Sequence, residues 1–404
     1  DVYKRQKPLY PVKLWCDTAT QAEVDEITDN FGGPERLIER IGNPILTGYT
    51  APKIVWLRKN NPLAYRRLAH ILLPHDYLNF VLTGKKVMEC GDASGTGMLN
   101  VRKKEWSTEV LYAMDSERDL IACLPQLVVP DQFIGVTTSE AAEAYDIPCG
   151  VPVSCGGGDN MMGAIGTGNV VPGVLTMSLG TSGCLYAYSD IPIVDPKGNI
   201  AAFCSSTGGW LPLVCTMNLT VVTEKIRELF SLSLEDLEDS VNQVQPGADG
   251  LSFLPYLNGE RTPNLPNGKG VIHGLTCDNM EPAKLARSAM EGATMGLAYG
   301  LNKFSEMGIN PSEIRATGGG SKSLIWRQIA ADVFNTPVVP LATSEGASLG
   351  AAIQAMHCCM NSVVNNYEDL CSKFVKLDES NRCDPVSYTH LRAHETSLHL
   401  VCRL

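Results

Sequence analysis

Pro152-Val153-Ser154-Cys155-Gly156-Gly157-Gly158-Asp159-Asn160-Met161-Met162-Gly163-Ala164-Ile165-Gly166 is the stretch that decides the fold. An apolar run ending at Cys155 reads as a short buried strand, Gly156 to Gly158 as a tight turn, and Asp159 to Gly166 as a helix that starts at the turn. Glycines let backbone amides come close to a bound group because no Cβ stands between them. A helix N-terminus adds a dipole that favours negative charge, so phosphate is the natural guest of such a unit. Asp159 opens the helix with a carboxylate able to accept a proton, which is the base a phosphoryl transfer needs. The same residue in the same place is equally an ordinary N-cap, and spacing alone does not separate the two roles.

Two further glycine turns follow predicted strands. Val174 to Ser178 and Cys184 to Tyr188 read as strands joined by Leu179-Gly180-Thr181-Ser182-Gly183, which is hairpin chemistry. A strand over Glu313 to Thr317 runs into Gly318-Gly319-Gly320, followed by a helix from about Ser323 to Phe334, a strand over Pro337 to Leu341 and a last helix over Ala347 to Met356. Any one of these turns, taken alone, is more often structural than a ligand site. Between them lie a helical stretch near Val222 to Phe230, a loop-rich segment from Leu251 to Leu275, and a long helix from about Pro282 to Met307, with Pro282 suited to the first turn. Upstream of Val170 the pattern is helical, as at Glu35 to Ile41 and Pro52 to Arg58, with few strands. A new domain is expected to begin near Val174. No repeat of fixed period and no low-complexity block interrupts the chain.

Familiar nucleotide motifs fail. Gly156 to Met161 and Gly318 to Ser323 miss GxGxxG at the last glycine, and Gly84-Lys85 and Gly268-Lys269 are followed by Lys86 and Gly270, which breaks the Walker pattern. A chain of 404 residues allows two domains with separate cores. At 44% hydrophobic and 19% charged it is ordinary globular material, with no apolar run long enough to span a bilayer, so no membrane is expected. A net charge of −11 argues against a nucleic-acid partner. The 14 cysteines are scattered and contain no CxxC, which fits a reducing cytoplasm better than a disulfide scaffold or a zinc site. Residues 1–6 and 384–404 differ in composition from the rest and look like non-native tails. The second of them holds His390, His394 and His399, which could be misread as a metal cluster.

Taken together these segments resemble the FGGY carbohydrate kinases. Gly48-Tyr49-Thr50-Ala51-Pro52-Lys53-Ile54-Val55-Trp56-Leu57 is similar to the family's first signature, and Gly270-Val271-Ile272-His273-Gly274-Leu275 with Leu285-Ala286-Arg287-Ser288-Ala289-Met290-Glu291 to its second. Leu73-Pro74-His75-Asp76-Tyr77-Leu78 and Tyr256-Leu257-Asn258-Gly259-Glu260-Arg261-Thr262-Pro263 resemble the branch of the family that acts on ketopentoses. Lys284 departs from the pattern, as do Thr220, Val221 and Val222 at a place where the branch carries small residues near the adenine.

The resemblance implies an α/β chain with the two-domain actin and hexokinase-like ATPase fold, which is ribonuclease H-like. Residues 7–170 would be the sugar-binding domain, lacking its start, and 171–383 the ATP-binding domain. It implies ATP and Mg²⁺ as cofactors, a small sugar such as D-xylulose as acceptor, and leaves a homodimer possible. Asp159 would be the base and lie beside the metal, with Asn160 holding the sugar and Trp15 and Asp17 on the sugar side. Gly180, Thr181 and Ser182 would face the transferred phosphate, and Gly318, Gly319, Gly320 and Ser323 the adenosine. The family's opening phosphate loop, with an Asp that helps hold magnesium, has no counterpart here and would lie upstream of Lys7, so the polypeptide by itself is expected to be catalytically crippled and inactive. Other expectations are a related kinase acting on glycerol, ribulose or gluconate, or a non-catalytic sugar or nucleotide sensor.

Overall fold

The computed structural model describes residues 8–343, 345–360 and 366–386. The segment 1–6 and the three tail histidines lie outside those residues. Among the described residues no helix is long and apolar enough to cross a membrane. The chain divides into two compact units, one of Asp1–Met162, Ser189–Pro212 and Ala351–Tyr367, the other of Gly163–Tyr188, Leu213–Gly350 and Glu368–Leu404.

In the first unit the helices Gln21–Phe31, Pro34–Ile41, Thr50–Asn60 and Thr108–Met114 turn Ile27, Leu37, Ile41, Val55 and Met114 into one core. Pro34 stands at the first helical position, where its missing N–H is no loss, and Gly42 ends that helix at φ +97°, a left-handed value that suits glycine. Strands are more numerous here than the sequence pattern shows, because they are very short. Val87–Glu89 pairs in parallel with Gln126–Val128, and Pro152–Ser154 pairs antiparallel with Phe133–Val136. Buried Asn43 pins the Ser189–Pro212 excursion, donating to Ala202 O at 2.7 Å and accepting from Ala202 N–H at 2.8 Å.

The second unit is built on a five-stranded sheet in the order Val338–Pro340, Glu313–Thr317, Val174–Leu179, Gly183–Ala187, Leu213–Thr216. The first three strands are parallel, and the last two pairings are antiparallel. The expected hairpin and the Glu313 strand are as the pattern predicts. The loop-rich segment 251–275 contains an extra hairpin of Ser252–Leu254 with Val271–His273, short enough to hide from periodicity.

The long helix is Pro282–Glu306, and most of its length is buried. Gly292 and Gly300 on it are dictated by close approach. A Cβ on Gly292 would stand 2.0 Å from Phe253 O, and one on Gly300 2.4 Å from a Val214 methyl. Arg287 and Glu291, one turn apart on this helix, form a buried ion pair at 2.7 Å. Glu291 also accepts from Gly247 N–H at 3.1 Å, and Arg287 donates to Val241 O at 3.1 Å and Val244 O at 2.8 Å. Lys284 is accommodated by Asp249 at 2.9 Å. Removing one partner of a buried pair leaves the other charge uncompensated, so Arg287→Ala is expected to destabilise the protein by about 3–5 kcal/mol, read by denaturant unfolding.

Candidate active site

Strand pairing decides where two of the glycine bends meet. Val174–Leu179 and Glu313–Thr317 run parallel with Ser178 opposite Thr317, so both chains leave the sheet at its carboxyl end, where open α/β sheets bind ligands. Gly318, at φ +87°, turns directly over Leu179. A Cβ there would stand 2.8–3.0 Å from the N, C and O atoms of Leu179, and one on Gly320 would stand 3.0 Å from the Leu179 Cβ. On the other side the hairpin tip is tied to the start of helix Thr220–Leu229, with Leu219 N–H donating to Thr181 O and Thr220 N–H to Gly180 O, each at 3.2 Å. Gly180, Gly318, Gly319 and Gly320, with the main chain of Thr181, therefore form one strip of accessible backbone. Thr181 and Gly319 are exposed on it, and nothing lies within 4 Å of where a Gly319 Cβ would be. Such a strip admits a phosphate or a nucleoside edge against the main chain.

Two residues near the strip do structural work. Ser323 is 5% exposed, and its Oγ accepts from Trp326 N–H at 3.3 Å as the N-cap of helix Leu324–Phe334, after a tight turn over Gly319–Lys322. Thr220, out of pattern for the family, packs its methyl 3.4 Å from the Gly320 Cβ position. Just before it, buried Asn218 donates to Gly259 O at 2.6 Å and to Glu260 Oε2 at 3.0 Å. That fixes the Tyr256 to Pro263 segment to the head of the helix.

The strand Pro152–Ser154, the bend and the helix Asp159–Gly166, whose first four residues belong to the first unit, stand where the sequence places them. Asp159 is exposed, its Oδ1 accepting from Asn160 N–H at 2.7 Å, and Asn160 is half-buried. The bend is held by side chains that no local motif points to. Gln354, fully buried, accepts from Gly156 N–H at 2.9 Å and donates to Gly156 O at 3.0 Å, and Asn79 donates to Cys155 O at 2.6 Å. Gly157 and Gly158 are wedged between side chains: Cβ atoms would meet Ser206 Oγ at 2.6 Å, Met162 Cε at 2.8 Å and Asp92 Oδ1 at 3.2 Å.

Trp15 and Asp17 lie in a stretch that leans on the first signature. Trp15 O is 2.9 Å from the Cβ position of Gly48, and Lys53 donates to Gly48 O at 2.8 Å. Trp15 is 54% exposed, and Asp17 accepts from Ala19 N–H and from Lys13, both at 2.9 Å, which in that order hold its carboxyl below the usual range. Among the described residues no hydrogen bond or ion pair joins Trp15 or Asp17 to Asp159 or Asn160.

Beside the bend is a charged cluster. His75 Nδ1 is hydrogen-bonded to Asp92, and His75 Nε2 is 3.3 Å from Asp76 Oδ1. Asp76 Oδ2 accepts from Leu73 N–H at 2.8 Å, and Glu89 accepts from Gly91 and Asp92 N–H at 2.7 and 2.6 Å. Burial alone would lower the His75 pKa, but the bond to Asp92 and the charges of Asp76, Asp92 and Glu89 outweigh it and raise it to about 9. Burial pushes Asp76 and Glu89 up to about 7. Among the described residues His75, Asp76 and Asp92 are the one group of three potential metal ligands close enough to share an ion. The two ring nitrogens face opposite carboxylates, however, which is the arrangement of an imidazolium between anions. Asp159 offers a single exposed carboxylate, with Oδ1 taken by Asn160 N–H. A divalent cation held mostly by nucleotide oxygens and waters needs one such ligand, and Asp159 fits that requirement.

The model of the FGGY family of carbohydrate kinases, N-terminal domain, matches residues 2–166, and that of the C-terminal domain matches 175–359. The chain belongs to this family and is a carbohydrate kinase, an enzyme that uses ATP with a divalent metal. It is 47% identical to a xylulose kinase of Haemophilus influenzae over 95% of this chain and 77% of that one. It is 36% identical to a xylulose kinase of Streptomyces coelicolor over 87% of this chain and 70% of the other. Among solved structures, a xylulose kinase from Bifidobacterium adolescentis superposes with a TM-score of 0.83 at 26% identity, covering 98% of this chain and 84% of that one. The fold is the mixed α/β, two-domain fold of these kinases.

Gly318→Ala is expected to combine left-handed strain with a clash on Leu179, destabilising the second unit by about 1–3 kcal/mol and loosening residues 179–183 in amide hydrogen exchange. The charged cluster predicts a pH dependence of stability. The His75 pKa rises from 6.5 to about 9 on folding, so its contribution is complete below 6.5 and lost as pH rises through 9. Asp76 and Glu89 rise from 3.8 and 4.5 to about 7, so they too favour the fold at low pH and lose that contribution by about 7. The melting temperature should therefore fall from about pH 4 to about pH 9, first through Asp76 and Glu89 and above about pH 6.5 through His75, and Asp92→Asn should move the upper part of that fall to lower pH.

Proposed function

We propose that this chain transfers the γ-phosphoryl group of ATP to the 5-hydroxyl of D-xylulose, giving D-xylulose 5-phosphate and ADP, with Asp159 as the base. The reading is supported by the similarity to xylulose kinases along most of the chain. The single observation that carries the assignment of the base is the exposed Asp159 carboxylate, set at a helix start by a bend too crowded for side chains. As the sugar oxygen bonds to the γ-phosphorus, the bond from that phosphorus to the β,γ-bridging oxygen breaks and its electrons leave with ADP. The hydroxyl proton passes to Asp159.

Asn160 holds the sugar beside the base, with Trp15 and Asp17 on the sugar side. Gly180, Thr181 and Ser182 face the transferred phosphoryl group, where N–H donors stabilise charge as it develops. Gly318, Gly319 and Gly320 lie along the adenosine, and Ser323 acts behind them by fixing the helix that follows. Mg²⁺, when bound beside Asp159, neutralises phosphate charge.

The test is a coupled ADP-release assay of the full-length enzyme on a panel of D-xylulose, D-ribulose, glycerol and gluconate. The highest kcat/KM is expected with D-xylulose, and preference for another sugar overturns the substrate. Asp159→Asn should lower kcat by about 10²–10⁴-fold, and a loss below about tenfold removes Asp159 as the base. Sugar binding without turnover in the unmutated enzyme would mark a sensor instead.

A further inference from the structure

The glycine bend that carries Asp159 rests on a cluster the proposed reaction does not use. His75 and Asp76 belong to the helix Pro74–Thr83, and Glu89 closes the strand Val87–Glu89 and caps the helix Cys90–Ser94, which contains Asp92. The bend lies across His75, Glu89 and Asp92. A Cβ on Gly156 would stand 3.4 Å from His75 Cδ2, one on Gly157 3.4 Å from Glu89 Oε1, and one on Gly158 3.2 Å from Asp92 Oδ1. Helix Asp159–Gly166 is met from below as well, since a Cβ on Gly91 would stand 2.8 Å from Met161 Cγ.

Among the described residues His75 makes the hydrogen bond that joins the helix Pro74–Thr83 to the helix Cys90–Ser94. Its Nδ1 reaches Asp92 on one helix and its Nε2 faces Asp76 on its own. That Nε2 and Asp76 Oδ1 are buried and make no hydrogen bond, so their 3.3 Å approach is a contact of charge alone. The charged groups facing the ring are Asp76, Asp92 and Glu89, all acidic. Without a cation among them Asp92 and the ionised fraction of Asp76 and Glu89 repel one another, which loosens the contact between the two helices.

We propose that His75 is a positioning residue: bridging Asp92 and Asp76, it fixes the floor on which Gly156 to Gly158 sit and thereby the direction of the Asp159 carboxylate. The bond to Asp92 is the contact that matters, because Asp92 lies directly against Gly158, next to the base. A small displacement of a base is enough to slow catalysis strongly without weakening nucleotide binding.

This inference rests on Asp159 being the base, and the experiment separates the two. In the full-length enzyme His75→Ala is expected to lower kcat by at least about tenfold, and up to about 10²-fold, with KM for ATP within about twofold. His75→Asn, which keeps an N–H near the Nδ1 position, should recover most of the loss. A kcat for His75→Ala within about threefold of the unmutated enzyme overturns the proposal, and so does equal impairment of the Ala and Asn variants.

Should His75→Ala fail to fold, ¹⁵N NMR of the histidines in the unmutated protein decides: both His75 nitrogens must carry protons at pH 7, and a neutral ring overturns the bridge. If Asp159→Asn stays active while His75→Ala is slow, the base assignment fails. If Asp159→Asn is dead and His75→Ala is normal, only the bridge fails.

Discussion

Parallel pairing of Val174–Leu179 with Glu313–Thr317 puts Ser178 opposite Thr317, and every feature of the second unit's site follows from that register. The two strands end together, so the chain after Thr317 has to cross the chain after Ser178 with backbone on backbone. A side chain at Gly318 would overlap three main-chain atoms of Leu179. The glycines are therefore required by the crossing first, and the bare strip available to a phosphate or a nucleoside is its consequence. A one-residue slip would turn Leu179 out of the core and separate the bends.

The first unit solves a similar problem with polar side chains. Among the described residues its bend is not backed by a second strand, because Pro152–Ser154 pairs there with Phe133–Val136 alone. Position is supplied instead by Gln354 and Asn79, whose amides match the main-chain groups of Cys155 and Gly156, and by the acidic and imidazolium groups beneath. Buried polar networks of this kind are unforgiving: fully satisfied they define one arrangement, and a missing member leaves an unpaired group in low dielectric. The two units thus reach the same end, a rigid glycine bend, by packing in one case and by directional hydrogen bonds in the other.

Local chemistry was legible in the sequence wherever it was encoded locally. The helix over 159–166, the strand over 313–317, the hairpin around Gly180 and the start of the long helix at Pro282 all stand where periodicity and turn residues place them. What was not legible depends on contacts far apart in the chain. Gln354 acts on Gly156 from 198 residues away, and Asn218 acts on Gly259 and Glu260 from more than 40. Neither has a pattern that distinguishes it from a surface amide. Ser323, expected to face the adenosine, is a buried N-cap, a position for which Ser is among the preferred residues. His75 stood in a segment noted for kinship alone, since a histidine beside an aspartate carries no spacing signal until a second helix brings Asp92 to its other nitrogen.

A general base has to be held in place without having its oxygens occupied. As the proposed base, Asp159 keeps Oδ2 without a hydrogen bond among the described residues, because most of the contacts that fix it are made by its predecessors. Cys155 and Gly156 take the amides of Asn79 and Gln354, Gly157 and Gly158 take the steric load of Ser206, Met162 and Asp92, and the carboxylate itself accepts only from the next residue's N–H at Oδ1. Had the same rigidity been supplied by an arginine or lysine paired directly to Asp159, the pairing would favour the carboxylate so strongly that proton uptake would be opposed. Moving the charge one layer down, to His75 between Asp92 and Asp76, leaves a fixed but unneutralised carboxylate at the surface.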